Sequence, residues 1–235
     1  MQLSKNEEKV YSSLKNSKMQ VFRSRDIRLL RGINKTKTYN LIKALKRKKV
    51  ITALSSGIYV MKDTDEFTAG VHFNWPSYVS FLSALNYYGF SDNLPRKITF
   101  VSTRYKKSLL FEYACLSKNR FFGYKKEGEI IVAEKEKAIV DSLLLPKYAG
   151  GIKEISKGLT EKFNELDSKK LLDYAFRVGS KMVLRRLGFI LEKRLAKKDE
   201  ISLLNKIGKG VGFLDPSIKK RNNLNKKWLL YTDLG

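Results

Sequence analysis

Four side chains spaced four, three and four residues apart, Thr36, Asn40, Lys43 and Arg47, have the chemistry to hold a nucleic acid. At about 100° per residue that spacing lays them along one face of a helix. Asn carries a paired donor and acceptor, and Arg a pair of donors, that match base edges in the major groove, and Lys binds phosphate as a point charge. Lys37 and Tyr39 flank the row, and Lys35 stands at its start. From Asn34 to Lys49 there are seven Lys/Arg and no acid. Solvated helix faces normally mix signs, because opposite charges at i,i+4 help and like charges hurt. A face that accepts repulsion throughout makes sense against a polyanion. The plain alternative is a lysine-rich helix with no partner.

Other reactive residue types are sparse. Glu134, Glu136 and Asp141 fall on one expected helix, and Glu134 and Asp141 share a face, a candidate metal pair. Lys135 and Lys137 intersperse them, however, and acids at a helix start also serve its dipole. His72 is the only histidine and Cys115 the only cysteine. A lone histidine without clustered partners builds no metal site. Cys115 lies in the apolar run LLFEYACL and is expected to be a buried small hydrophobe. There is no phosphate-loop pattern, no Ser with a His partner, and no acid followed by E-x-K on expected strands. The reading is a protein that is not an enzyme, with no cofactor and no metal.

The elements that must position the basic row can be read on either side of it. A helix is expected over Lys35–Lys48, with Asn34 as N-cap and Thr38, Leu41, Ile42 and Leu45 as its buried stripe. Strands follow at Val50–Leu54 and Ile58–Met61, joined by the turn Ser55-Ser56-Gly57. Upstream, Ser4 and Glu7 have capping-box spacing before the stripe Val10, Tyr11, Leu14. Ser24 is read as the cap of a second helix, Arg25–Leu30, with Gly32-Ile33-Asn34 as the turn. Helix, helix, turn, helix, hairpin is the order of a winged helix-turn-helix. Its expected DNA contacts are Arg25, Lys35, Thr36, Lys37, Tyr39, Asn40, Lys43 and Arg47, with Ser55, Ser56 and Gly57 at the wing.

Charge supports this placement. The 235-residue chain carries a net charge of +25, far more than solubility requires and a mark of nucleic acid or another anionic surface as partner. Residues 1–62 hold 16 Lys/Arg against three acids, so charge density peaks there. No apolar run approaches the roughly 18 residues of a membrane span. The first residues lack the apolar core of a signal peptide, and a single cysteine fits a reducing compartment. A cytoplasmic protein with no membrane contact is expected.

Residues 62–76 read as acids followed by irregular sequence and mark a junction, with His72 structural or at the surface. Beyond it, an amphipathic helix is expected from Ser77, capped there and stopped by Gly89, with Tyr78, Phe81, Leu82 and Leu85 in the core. Strands are expected at Lys97–Ser102, Leu109–Cys115, Arg120–Tyr124 and Glu129–Val132. Helices are expected at Ala133–Leu145, from Asp167-Ser168 to Val178, at Ser180–Lys197 and at Ile201–Ile207, and a strand in the tail 229–235. Gly188 inside the third of these suggests a close helix crossing. Arg104, Lys106 and Lys107 form a basic loop that is either a second DNA contact or a solvated turn. Arg185 and Arg186, left outside their helix's apolar stripe, are candidates for the same second contact. The fold class is therefore α+β: residues 1–62 a winged helix-turn-helix, residues 63–235 a mixed α/β domain.

Several stretches together resemble bacterial and archaeal AbiEi-type antitoxins: GIYV at 57–60, PSYVSFLSALNYYGF at 76–90, FFGY at 121–124, AEKEKAIVDSLL at 133–144, GSKMVLRRLGFILE at 179–192, and LDPS with the later Trp228. The resemblance spans nearly the whole chain and rests on the order and spacing of motifs that are individually weak. It implies a DNA-binding transcriptional autorepressor that recognises inverted repeats in its own promoter, as a dimer on DNA or as cooperative monomers. It also implies the antitoxin of a toxin–antitoxin pair whose toxin is a nucleotidyltransferase, opposed without a stable complex. The operator-binding role carries over to Thr36, Lys37, Tyr39, Asn40, Lys43 and Arg47. The alternative is an RNA-binding or nuclease-like protein that uses the basic C-terminal domain; a third reading is an interaction protein that neutralises its toxin by direct contact.

Overall fold

A computed structural model describes residues 2–217 and 221–232. The chain begins with α1 (Lys5–Asn16), whose capping box forms as expected: Ser4 N–H donates to Glu7 Oε2 at 2.7 Å and Glu7 N–H donates to Ser4 Oγ at 3.4 Å. A short strand β1 (Val21–Arg23) precedes α2 (Ser24–Arg31). Ser24 lies inside that helix and is not its cap. Arg23 occupies the cap position, and its N–H donates to Asp26 Oδ2 at 2.7 Å. Then come α3 (Lys35–Arg47), β2 (Ile51–Ser55) and β3 (Ile58–Met61), close to their expected limits. The three strands pair antiparallel in the order β1-β3-β2. Gly57, in the hairpin turn, has φ +75°, a conformation side chains disfavour.

This sheet has two covered faces. Phe22, Ile51, Tyr59 and Met61 face a small core shared with Val10, Leu14, Ile27, Ile42 and Leu45. Val21, Leu54, Ile58 and Val60 face the other way, onto the larger core. The period-two alternation of a strand produces the split: Tyr59 and Val60 are neighbours in sequence and belong to different cores.

The larger core opens with α4 (Glu66–Phe73), where irregular sequence was expected. Asp65 caps it, accepting the Thr68 N–H at 2.9 Å. Thr68, Ala69, Gly70, Val71 and Phe73 are all buried. A helix covered on nearly every side has no polar face, so its sequence carries no helical period. Ser77–Val79 is likewise not a helix start but β4, buried throughout. It is the central strand of a five-stranded mixed sheet, antiparallel to β5 (Ile98–Ser102) and parallel to β8 (Ile130–Ala133). Three residues are too few to display a period, and the following α5 (Phe81–Tyr87) lent its pattern to them. The sheet is completed at its edges by β6 (Phe111–Cys115), parallel to β5, and β7 (Tyr124–Glu127), antiparallel to β8. The strand expected at Arg120–Tyr124 thus begins where it was expected to end. Cys115, at the end of an edge strand, is exposed, contrary to expectation.

Helix α6 (Lys135–Leu144) is buried along almost its whole length, with α7 (Ile152–Glu161), α8 (Ser168–Val178) and α9 (Lys181–Leu191) around it. The sequence carries no expectation of a helix at α7. The helix expected over Ser180–Lys197 stops at Leu191, and α10 runs over Lys197–Leu204, ahead of its expected Ile201–Ile207. No Gly or Pro marks the break, and Asp199 and Glu200 suit the first turn of a new helix. The tail adds a small sheet of β9 (Gly212–Phe213), β10 (Leu224–Asn225) and β11 (Leu230–Tyr231). Part of the strand expected at 229–235 is β11; residues 233–235 lie outside the described residues. The tail also delivers Trp228, fully buried, against Gly188. The close approach foreseen at Gly188 therefore comes from an indole ring and not from a crossing helix. Among the described residues no helix is long and apolar enough to cross a membrane.

Candidate nucleic-acid interface

Helix α3 owes its orientation to a few contacts. Asn34 Oδ1 accepts the Lys37 N–H at 2.9 Å, and Thr38, Ile42 and Leu45 are buried against the small core. That anchoring turns Thr36, Lys37, Tyr39, Asn40, Lys43 and Arg47 outward together, with Lys35 and Lys46 beside them, all exposed. Tyr39 leaves 65 % of its surface in water. Among the described residues none of these cations is paired with a carboxylate. Lys48 is the exception in the run. It turns back to donate to Glu7 Oε2 at 2.5 Å and to the Gln2 carbonyl at 3.0 Å. The Lys48 ammonium, with the Ser4 N–H, holds the Glu7 carboxyl below the usual carboxylate range.

Arg25 is exposed on α2, and Ser55, Ser56 and Gly57 are exposed at the hairpin tip. A shallow cavity of about 370 Å³ lies between α1 and α3, lined by Lys9, Arg31, Lys37 and Asn40 among others. Lys9 is exposed, and Arg31 Nη1 donates to Ser13 Oγ at 3.4 Å. Sequence reasoning gave α1 only a core role. Lys9 sits one residue from buried Val10, and a wheel drawn for α1 alone says nothing of which neighbour its polar face adjoins.

The second group of expected contacts divides. Arg104 and Lys107 are exposed. Lys106 is committed elsewhere: its Nζ donates to the Phe73 carbonyl and lies 3.7 Å from the centre of the Phe73 ring. Burial, with the Arg23 charge nearby, pushes its pKa down.

Arg185 and Arg186 are not at the surface; they are 4 % and 5 % exposed. Arg185 Nη2 donates to the Ile207 and Lys209 carbonyls at 3.0 and 3.1 Å. Arg186 donates from Nε to Leu214 O at 2.8 Å, from Nη1 to Leu143 O at 2.7 Å and from Nη2 to Phe213 O at 3.3 Å. Its pKa is lowered to about 10 by burial. The tail covers this face of α9 and brings carbonyls that need donors. A helical wheel knows its own helix and not the segment that will lie across it.

The three carboxylates do not converge on a common point. Glu134 accepts from Tyr174 OH and pairs with Lys170 at 3.1 Å. Glu136 accepts the Asp167 N–H at 3.0 Å. Asp141 is fully buried, paired with Lys137 and accepting from Tyr78 OH at 3.0 Å and Ser80 Oγ at 2.9 Å. Burial pushes its pKa up against the pull of Lys137. Among the described residues no group of three or more His, Cys, Asp or Glu is placed to hold a metal. His72 is exposed and stacks with Trp75.

No protein-family model matches this chain, and no curated protein matches it. Among solved structures it is similar to the crystal structure of the RV2827C protein from Mycobacterium tuberculosis. The two share 12 % sequence identity, the match covers 97 % of this chain and 92 % of that one, and the TM-score is 0.70. At that identity the likeness concerns the fold alone.

Proposed function

We propose that this protein is a sequence-specific duplex-DNA-binding repressor, with residues 1–62 acting as a winged helix-turn-helix and α3 as its recognition helix. The observation that carries the reading is the outward face of α3. It presents Thr36, Asn40, Lys43 and Arg47 in one row, with no carboxylate partner among the described residues, beside an exposed hairpin tip. In this reading Thr36 and Asn40 meet base edges, with Lys37 and Tyr39 beside them. Lys35, Lys43, Arg47, Arg25 and the backbone at Ser55–Gly57 hold phosphates. Arg104 and Lys107 remain as outlying phosphate contacts; Arg185 and Arg186 are withdrawn from the site because they are buried.

The resemblance to AbiEi-type antitoxins extends the reading. The protein would repress its own promoter through inverted repeats, in the cytoplasm, as two copies in two-fold register. It would oppose a nucleotidyltransferase toxin encoded beside it, without a stable complex, through residues 63–235.

The test is fluorescence anisotropy on the duplex upstream of the protein's own gene, against a scrambled duplex, over a salt series. An upstream advantage of roughly 1000-fold or more is expected. Arg47→Ala should weaken every duplex and flatten the salt dependence by about one contact. Asn40→Ala should cost the upstream duplex about 1–3 kcal/mol and leave the scrambled duplex unchanged. Equal binding of parent and both variants would refute the assignment of the α3 face.

A further inference from the structure

A second basic site lies in the larger unit, on elements other than α3. The loop between β5 and β6, the entry to β5 and the turn after α6 border an open cleft of about 560 Å³. Its walls carry Arg96, Lys97, Lys106, Lys107 and Lys147 against a single acid, Glu112. Lys106 is tied to Phe73, as described. The other four are exposed and have no carboxylate partner among the described residues. Two tyrosines join them. Tyr105 is 80 % exposed, and Tyr148 lies at the wall with the Lys147 ammonium 4.7 Å from its ring centre. The loop is held in shape from within, by Ser108 Oγ accepting the Leu110 and Phe111 N–H groups at 3.1 and 3.2 Å.

Four unpaired cations placed together repel one another, and an aromatic ring left in water gains nothing from burial. Both features become favourable around one kind of ligand: phosphates for the cations and a flat base for the ring. Duplex DNA keeps its bases stacked inside and cannot offer one to Tyr105. The volume falls within the usual range of small-ligand sites. We propose that this cleft binds a nucleotide with an accessible base, Arg96, Lys97, Lys107 and Lys147 holding phosphate and Tyr105 stacking on the base. The nucleotide is supplied by a single-stranded nucleic acid or as a free nucleotide. The sequence hid the site because its cations come from residues 96–97, 106–107 and 147, which only the fold assembles.

The test is anisotropy of a fluorescein-labelled dT12 strand with the full chain. The variant Arg96→Ala/Lys97→Ala/Lys107→Ala/Lys147→Ala is compared with a charge-matched control, Lys118→Ala/Lys169→Ala/Lys193→Ala/Lys198→Ala, whose residues are also exposed. The cleft variant should lose on the order of 100-fold and shed about three units of salt slope, at roughly 0.7 per contact in single strands. The control should stay within about threefold of the parent. Tyr105→Ala should lose on the order of tenfold, as stacked aromatics do. Lys43→Ala/Arg47→Ala, which removes phosphate contacts of α3, should cost the strand less than the cleft variant does, and an equal or larger loss would overturn the site. Competition with ATP assigns the source: displacement of the strand by ATP means a free nucleotide, and no displacement means a strand. Equal losses in the cleft and control variants would overturn the site, and parental binding by Tyr105→Ala would overturn the base contact and with it the nucleotide assignment.

Discussion

Replacing Asp141 by Asn tests the buried centre of the larger unit. The carboxylate is fully buried and is held by Lys137, Tyr78 OH and Ser80 Oγ. Lys137 is also fully buried, and its other hydrogen bond, to Tyr78 OH at 3.0 Å, is to a neutral group. Asn keeps the shape and one acceptor oxygen for Tyr78 and Ser80, but it strands the ammonium without a counter-charge. Breaking a buried pair from one side costs about 3–5 kcal/mol. That is a large part of the ~5–15 kcal/mol that holds a typical domain folded. With a urea dependence near ~2 kcal/mol per molar, the unfolding midpoint should fall by roughly 2 M. Removing the stranded charge as well, in Lys137→Met/Asp141→Asn, should bring the protein back to within about 1.5 kcal/mol of the parent, because Met fills similar volume. The assay is urea unfolding followed by circular dichroism, arranged as a double-mutant cycle. A midpoint shift below about 0.3 M for Asp141→Asn would refute the reasoning. So would a double variant as unstable as the two single losses added.

Gly188→Ala should destabilise by at least ~1–3 kcal/mol, since a methyl there overlaps the buried Trp228 ring; thermal unfolding reads the loss, and Trp228→Phe in the same chain should restore part of it. Arg186→Leu strips donors from the Leu143, Phe213 and Leu214 carbonyls and should cost at least ~2 kcal/mol. It should lower the melting temperature and leave upstream-duplex affinity unchanged, the reverse of what a phosphate contact would show. Glu7 has a folded pKa held below its unfolded value by Lys48 and the Ser4 N–H. Its contribution is present above the unfolded carboxylate pKa of about 4.3 and is lost as pH falls through the lower folded value. Stability measured from pH 6 down to pH 3 should therefore fall more steeply in the parent than in Glu7→Gln, and parallel curves would refute the link.

What could be read from the sequence was whatever had a polar side. Helix α3 declared itself because Thr38, Ile42 and Leu45 alternate with exposed Thr36, Asn40 and Lys43, and the two strands of the following hairpin and its turn were also legible. Helix α4 is covered on nearly every side and strand β4 is buried throughout, so neither had a period to show. Arg185 and Arg186 were misplaced because their partners are carbonyls more than twenty residues away in sequence. Cys115 was misplaced because an apolar run does not reveal that its strand closes the edge of a sheet. The remote assembly of Arg96, Lys107 and Lys147 was illegible for the same reason. Local pattern reports the exposure of an element, and only topology reports its company.

The sheet β1-β3-β2 has one further consequence. Because Tyr59 belongs to one core and Val60 to the other, the two units have a wall in common and are not two beads on a string. One side-chain hydrogen bond also spans the two units, Gln20 Nε2 donating to Glu129 Oε2 at 3.3 Å. A swivel between the units would have to peel Val21, Leu54, Ile58 and Val60 off the larger core. Helix α3 is therefore aimed as a key blade is aimed by its bow: its bearing on the larger unit is set by the packing of that shared wall.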